Sequence, residues 1–88
     1  MSGKQTNNDE AIALSALGWT LGDDARADRF LALTGLTPDD LRASLHEPAT
    51  LAAAIRFLEA QEPDLVACAE AIGVAPADLP ETRRRLEA

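Results

Sequence analysis

The sequence has few of the residues that build covalent cross-links, metal sites and β-sheets. Its single cysteine, Cys68, excludes an intramolecular disulfide and a cysteine-rich zinc site. Tyrosine is absent, aromatic residues make up 3% of the chain, and valine and isoleucine together number five. Alanine and leucine are abundant instead, and this balance favours helices over strands. We therefore expect an all-α protein.

Basic side chains and long apolar runs are also scarce. Eight lysines and arginines stand against 15 acidic residues, so the net charge is -7, which repels nucleic-acid backbones and anionic membrane surfaces. No apolar run approaches the roughly 20 residues that span a bilayer. The polar first ten residues lack the basic start and apolar middle of a secretory signal. We expect a cytoplasmic protein that does not bind membranes, and nucleic acid is disfavoured as a partner.

The length of 88 residues suits one domain with a single, thin core. Residues 1–6 are predicted to be a disordered lead-in, and residues 7–88 are predicted to form a single helical domain. Glycines and prolines divide this domain, because glycine often ends a helix and proline is tolerated at the first helical position. The predicted fold is a compact orthogonal bundle of five or six short helices, with a radius of gyration of about 12 Å.

The first helix is expected to begin after Thr6 or Asn7, because either side chain can cap it. Asp9 and Glu10 then fall in its first turn, where carboxylates favour the positive end of the helix dipole. These acidic residues are therefore interpreted as part of a helix start.

Residues 35–41, Gly-Leu-Thr-Pro-Asp-Asp-Leu, encode the end of one helix and the start of the next. Gly35 can adopt the left-handed backbone of a helix C-terminus. Thr37 can cap the following helix, with Asp40 reaching back to complete a capping box. We expect this third helix to continue to about His46, because the residue after it precedes a proline and is pushed out of helical geometry.

The same pattern recurs in outline at residues 73–79, an offset of 38 positions from residues 35–41. Extending the offset places Trp19 on Phe57. Two interpretations stay open. Either the chain consists of two related three-helix units, or a glycine stop followed by a proline start is simply the ordinary way of joining helices.

The segment Arg29–Arg42, read together with Trp19 and Asp23 upstream, resembles the small bacterial family known as domain of unknown function 3572. The likeness covers residues 8–80, and its most distinctive part is the phenylalanine-leucine helix that ends at Gly35. The resemblance implies a small helical bacterial protein. It implies no activity and no role for any residue.

His46 and Cys68 are the side chains best suited to catalysis, and each has a simpler interpretation. His46 is expected to be exposed without an orienting carboxylate, because adjacent helical residues such as Glu47 do not face each other. Helical spacing directs Cys68 towards the core, where a thiol has a raised pKa and little reactivity. Neither residue is predicted to be catalytic.

Two acidic pairs could suggest a metal site. Both lie at predicted helix starts, so they are expected to cap helices rather than bind a cation: Asp23-Asp24 and Asp39-Asp40. We therefore expect no catalytic residue, no metal site and no cofactor, and we predict that the protein is not an enzyme.

The first and fourth predicted helices carry more apolar surface than one core contact needs. On the first helix the apolar residues spread over an arc of about 220°, and on the fourth Phe57 lies about 100° from the Leu51-Ile55-Leu58 stripe. Trp19 and Phe57 are therefore predicted to bind a partner, since aromatic residues are enriched at interfaces; the alternative is that other helices of this chain cover them. The predicted function is a protein-protein interaction or adaptor module, binding another protein or a second copy of itself.

A different function rests on the basic cluster Arg83-Arg84-Arg85. It favours a weak nucleic-acid-associated regulatory role, although three arginines neutralise at most about three phosphates. The same arginines also suit the negative end of a terminal helix dipole.

Overall fold

The computed structural model describes residues 2–88, with side chains from residue 8 onwards. Met1, part of the predicted lead-in, lies outside the described residues, and the division at residue 7 stays a prediction. Six helices follow one another: α1 (Ser2–Leu21), α2 (Asp24–Thr34), α3 (Pro38–Ala43), α4 (Pro48–Glu59), α5 (Glu62–Ile72) and α6 (Asp78–Glu87). Residues 2–88 contain no strand, which confirms the predicted all-α bundle, and the radius of gyration is 12.1 Å. Over this same range, every helix is too short or too polar to cross a membrane.

α1 begins earlier than predicted. It starts at Ser2 and not after a cap at Thr6 or Asn7, because this stretch contains no proline to interrupt a helix. Asp9 and Glu10 consequently lie inside the helix, and their predicted role in its first turn is wrong. Both carboxylates bind side chains that are distant in the sequence, as described below.

The junction between α2 and α3 confirms the predicted helix signals. The Asp23 side chain accepts a hydrogen bond from the backbone N–H of Arg26 at 3.0 Å and caps α2. Gly35 ends α2 with a φ of 75°, a conformation that glycine adopts without steric strain. Thr37 Oγ1 accepts from the Asp40 N–H at 3.0 Å, and Asp40 Oδ2 accepts from the Thr37 N–H at 3.2 Å. These two bonds form the predicted capping box and set the direction in which α3 leaves α2.

α3 ends at Ala43 and does not reach the predicted limit at His46. Pro48 forces the residue before it out of helical geometry. The Ser44 hydroxyl also donates to the carbonyl four residues back at 2.9 Å, a local bond that competes with regular helix. Leu45 and His46 therefore lie in a turn, and this early ending decides what both side chains contact.

α4 lies at the centre of the bundle. It packs most extensively on α6 and α1, and it also contacts α5 and α2. Its predicted stripe of Leu51, Ile55 and Leu58 is buried. The other helices each supply buried apolar side chains to the same core: Ala13, Ala16 and Leu17 of α1, Phe30 of α2, Leu41 of α3, Cys68 and Ala69 of α5, and Leu79 of α6.

Phe30 joins α2 to α4. It is the one buried residue of α2, and its ring packs edge to face on Phe57, with ring centroids 5.6 Å apart and an interplanar angle of 80°. The position of α2 therefore depends strongly on this aromatic contact.

Thr82 of α6 is fully buried, and its hydroxyl has no hydrogen-bond partner among the described residues. A buried hydroxyl without a partner destabilises the folded state by about 1–3 kcal/mol. We expect Thr82→Val, which replaces the hydroxyl with a methyl group, to raise the free energy of unfolding by about 1 kcal/mol. Urea denaturation followed by circular dichroism measures this change.

Thr20 of α1 provides the matched control. It is equally buried, but its hydroxyl donates to the Ala16 carbonyl at 2.9 Å. Thr20→Val loses that bond and is expected to be neutral or destabilising. Equal shifts of the denaturation midpoint for the two variants would show that the unpaired hydroxyl of Thr82 does not weaken the fold.

Candidate functional site

Phe57, one of the two predicted partner-binding residues, lies in the protein's own core. Its side chain is only 7% exposed. Besides Phe30, α2 places Arg29 near the ring, with the guanidinium carbon 5.9 Å from the ring centroid. Arg29 also reaches Asp64 of α5 at 3.8 Å. Phe57 therefore presents almost no surface to a partner, because α2 covers this face of α4.

Trp19, the other predicted partner-binding residue, is half-buried near the end of α1. The guanidinium carbon of Arg26 lies 3.6 Å from the centroid of its ring, a cation–π contact. Arg26 also donates to the Trp19 carbonyl at 2.7 Å and to the Thr20 carbonyl at 3.3 Å, which satisfies two carbonyls at the helix end. An arginine of α2 therefore lies near the ring of each predicted partner-binding residue. The partner-binding role of Trp19 stays a prediction.

The basic cluster near the end of α6 is engaged by carboxylates. Arg83 is 15% exposed and binds Glu59 of α4 through Nε and Nη2, and Glu87 through Nη1 at 2.8 Å. The hydrogen bond to Glu59, helped by that to Glu87, raises the pKa of Arg83 above its ordinary value. Arg84 is more exposed and lies 3.8 Å from Glu81. Arg83 therefore holds α6 on α4, whereas the pair of Arg84 lies within α6, and both guanidinium groups compensate nearby negative charge.

Arg85 ties α6 to α1. Its Nε donates to both carboxylate oxygens of Asp9, at 3.0 and 2.9 Å, and the Asp9 side chain is only 8% exposed. The hydrogen bond to Asp9 raises the pKa of Arg85 above its ordinary value. Asp9, expected to favour a helix start, instead neutralises a distant arginine.

His46 forms a surface pair with Glu10. Its Nδ1 lies 2.9 Å from Glu10 Oε2, and the histidine side chain is 79% exposed, in line with its predicted exposure. The carboxylate comes from Glu10 of α1 and not from the adjacent Glu47, so the expectation that His46 has no orienting carboxylate is wrong. The pair links α1 to the turn after α3.

Cys68 is fully buried on the inner face of α5, as its helical spacing predicts. Burial raises the pKa of its thiol to about 11, with the charge of Arg26 a smaller opposing influence. The thiol is therefore protonated at neutral pH and packs as a small apolar group. Within the described part of the chain, no three His, Cys, Asp or Glu side chains form a group that could hold a metal ion.

An apolar groove opens on the surface where the end of α1 meets α2 and α3. It encloses about 320 Å³ and has these lining residues: Leu21, Ala27, Leu31, Pro38, Leu41, Arg42 and Leu45. We call it the α1–α3 groove. Leu21, Leu31 and Leu45 are each only half-buried, so apolar side chains form its walls and face water. Arg42 is its one charged lining residue.

A second cavity, of about 300 Å³, lies between α4 and α6. Arg56 and Glu87 line it and form an ion pair at 2.7 Å. The hydrogen bond from Arg56 lowers the pKa of Glu87 below its ordinary value. Both members of an ion pair therefore line this cavity, whereas Arg42 is the one charged residue that lines the α1–α3 groove.

The helix boundaries repeat along the chain at the predicted offset. α1 ends at Leu21 and α4 ends 38 residues later; α2 and α5 begin and end 38 residues apart. Gly35 and Gly73, which follow α2 and α5, have φ values of 75° and 82°. This agreement supports the interpretation of the chain as two related three-helix units.

The groove marks a difference between the two units. The 38-residue offset places Leu21 on Glu59 and Leu45 on Arg83. Glu59 and Arg83 form the ion pair that joins α4 to α6. Two leucines cannot form an ion pair. In addition, α3 ends at Ala43, before the position of Leu45. An ion pair therefore joins the walls of the second unit where the first unit keeps an open apolar groove.

Sequence patterns did not single out Leu21, Leu31 and Leu45 as a site. Leu21 lies on the first helix, whose apolar residues are predicted only to spread over a broad arc. Leu45 falls within the third helix as the sequence predicts it, since that helix is expected to continue to about His46. The sequence feature that could have identified the groove is the 38-residue offset. It aligns two of these leucines with a glutamate and an arginine.

The family described as "Protein of unknown function (DUF3572)" matches residues 6–88. No curated protein and no solved structure matches the chain. The matched residues include all those that line the α1–α3 groove.

Proposed function

We propose that this protein, which belongs to the DUF3572 family, is a cytoplasmic, non-catalytic protein-binding module. Its α1–α3 groove receives apolar side chains from a partner protein. The observation that carries the proposal is the pair of leucines, Leu21 and Leu45, that line an open groove where the second unit has the Glu59–Arg83 ion pair.

The size and lining of the groove suit a small apolar insertion. Its volume of about 320 Å³ lies at the lower end of the roughly 300–1,000 Å³ typical of ligand pockets. A few aliphatic side chains fit such a space, while the backbone that carries them lies along its open side. Covering the half-buried leucines removes apolar surface from water, which supplies the favourable free energy of binding.

The two aromatic residues have different places in this proposal. Trp19 precedes Leu21 by two residues, and Arg26, which lies against its ring, precedes the lining residue Ala27. We therefore propose Trp19 as a residue at the edge of the partner surface. Phe57 acts indirectly, because its contact with Phe30 holds α2 in place.

The nucleic-acid alternative lacks a supporting observation. Arg83 and Arg85 each bind a carboxylate, of Glu59 and Asp9 respectively. A phosphate backbone would have to compete with these partners for the same guanidinium groups. The charge distribution therefore favours the protein-binding proposal.

The double substitution Leu21→Glu/Leu45→Arg copies the Glu59–Arg83 pair into the first unit. We expect it to close the groove and weaken partner binding at least about tenfold, equivalent to roughly 1.4 kcal/mol. A benzophenone side chain at position 42, on the groove wall, identifies the partner by photo-crosslinking in living cells. Calorimetry then measures the affinity of the purified partner for the wild-type and double-substituted proteins.

Two controls keep the result specific. A benzophenone at Val66, which is 42% exposed on α5, reports capture that does not depend on the groove. Leu33→Arg replaces an apolar residue that is 76% exposed outside the groove and is expected to leave affinity unchanged. Capture of the same proteins from positions 42 and 66, or unchanged affinity for a folded double variant, contradicts the proposal.

A further inference from the structure

We infer that the partner segment is a basic amphipathic helix, an inference that rests on the function proposed for the groove. The first observation is the position of two exposed carboxylates on α2. Asp24 lies one helical turn before Ala27, and Asp28 lies one turn before Leu31. Residues three apart on a helix share a face, so both aspartates border the wall of the α1–α3 groove.

The charge of the groove rim is negative. Neither Asp24 nor Asp28 forms an ion pair with another described side chain. On the opposite wall Arg42 lies 3.3 Å from Asp39. Asp24 also suits the first turn of α2, but Asp28 lies beyond that turn and has no such local role. Near the apolar lining, the carboxylates of Asp24, Asp28 and Asp39 thus outnumber the one guanidinium, that of Arg42.

The second observation is the difference in length between α3 and α6. α6 continues beyond Glu81, the residue that the 38-residue offset places on Ala43, whereas α3 ends there. In α6 this added helix supplies Arg83, which binds the end of α4. In the first unit a helical turn from a partner takes the place of the helix that α3 lacks.

The complement of this site is an apolar stripe flanked by lysine or arginine. An amphipathic helix supplies aliphatic side chains at spacings of three and four residues and basic side chains on either side. The net charge of -7 also favours encounter with a basic segment. A second copy of this chain carries the same negative charge and is disfavoured as the occupant.

Three synthetic helical peptides test the inference. They share one leucine stripe and carry lysine, glutamine or glutamate at the flanking positions. Titrations followed by the methyl NMR signals of Leu31 and Leu45 give the site and the affinity. We expect the lysine peptide to bind about fivefold more tightly than the glutamine peptide at low salt, since two exposed ion pairs form, and the glutamate peptide to bind most weakly.

Charge variants identify the source of this preference. Asp24→Asn/Asp28→Asn, or a high salt concentration, is expected to abolish the advantage of the lysine peptide. Glu62→Gln/Glu70→Gln removes two exposed carboxylates from α5 and changes the net charge equally, and it is expected to retain the advantage.

The outcomes separate the inference from the proposed function. Equal affinity of all three peptides at the groove methyls overturns the basic-helix inference and leaves groove binding standing. If no peptide shifts these methyl signals, or if Leu21→Glu/Leu45→Arg binds as well as the wild type, both fail. Concentration-dependent shifts of the same methyls without peptide identify a second copy as the occupant and overturn the inference.

Discussion

Phe30→Ala is expected to lower the free energy of unfolding by about 3–5 kcal/mol. Phe30 is fully buried, and its ring makes the edge-to-face contact with Phe57. Truncation removes this contact and leaves a cavity under α2, because no other residue of α2 is buried. Urea denaturation followed by helical circular dichroism measures the change, and Trp19 fluorescence reports whether α2 and Arg26 have moved.

Leu33→Ala is the control for this prediction. Leu33 lies on the same helix and is 76% exposed, so its truncation is expected to change the free energy of unfolding by no more than about 0.5 kcal/mol. If Phe30→Ala is as stable as Leu33→Ala, the aromatic contact does not hold α2 on the bundle, and the groove wall formed by α2 needs another explanation.

Arg85→Met is expected to lower the melting temperature by several degrees. The substitution retains most of the apolar stem but removes both hydrogen bonds to Asp9, whose carboxylate is only 8% exposed. An unpaired carboxylate at a buried position destabilises the folded state, whereas removal of both charges is often tolerated. Asp9→Leu combined with Arg85→Met is therefore expected to regain part of the loss, as measured by calorimetric melting.

Arg84→Met tests whether this effect is specific. Arg84 is the neighbouring arginine, with a side chain 60% exposed and 3.8 Å from Glu81. Exposed pairs of this kind contribute little to stability, so we expect a melting temperature close to that of the wild type. Equal destabilisation by the two methionine variants contradicts a special role for the Asp9–Arg85 pair.

Helix boundaries set by local side chains could be predicted from the sequence. Asp23, Thr37 and Asp40 bind backbone groups three residues away, and the conformational freedom of Gly35 is a property of glycine itself. Such interactions lie within one turn of chain, so neighbouring residues are sufficient to identify them.

Pairings between distant helices could not be predicted in the same way. Glu10 binds His46, and Asp9 binds Arg85. A carboxylate near a predicted helix start suits the dipole and a distant cation equally well. The choice between these partners depends on how the helices pack, which the charge pattern of α1 does not contain.

The candidate site depends on the same kind of information. The angular position of Phe57 showed an apolar surface outside the main stripe of α4, but it did not identify α2 as the element that covers it. Leu45 lines a groove because α3 ends early. The sequence therefore predicts apolar surface beyond the main core stripe, but the position of the groove depends on the packing of α2 and α3.

The Asp9–Arg85 pair also bears on the order in which the protein folds. Its members are 76 residues apart in the sequence, whereas the capping contacts span three. Closing so long a loop costs chain entropy before any contact compensates for it. The pair is thus expected to form after the folding transition state, so that its loss accelerates unfolding and leaves the folding rate nearly unchanged. This ion pair would then slow unfolding and so prolong the lifetime of the native bundle.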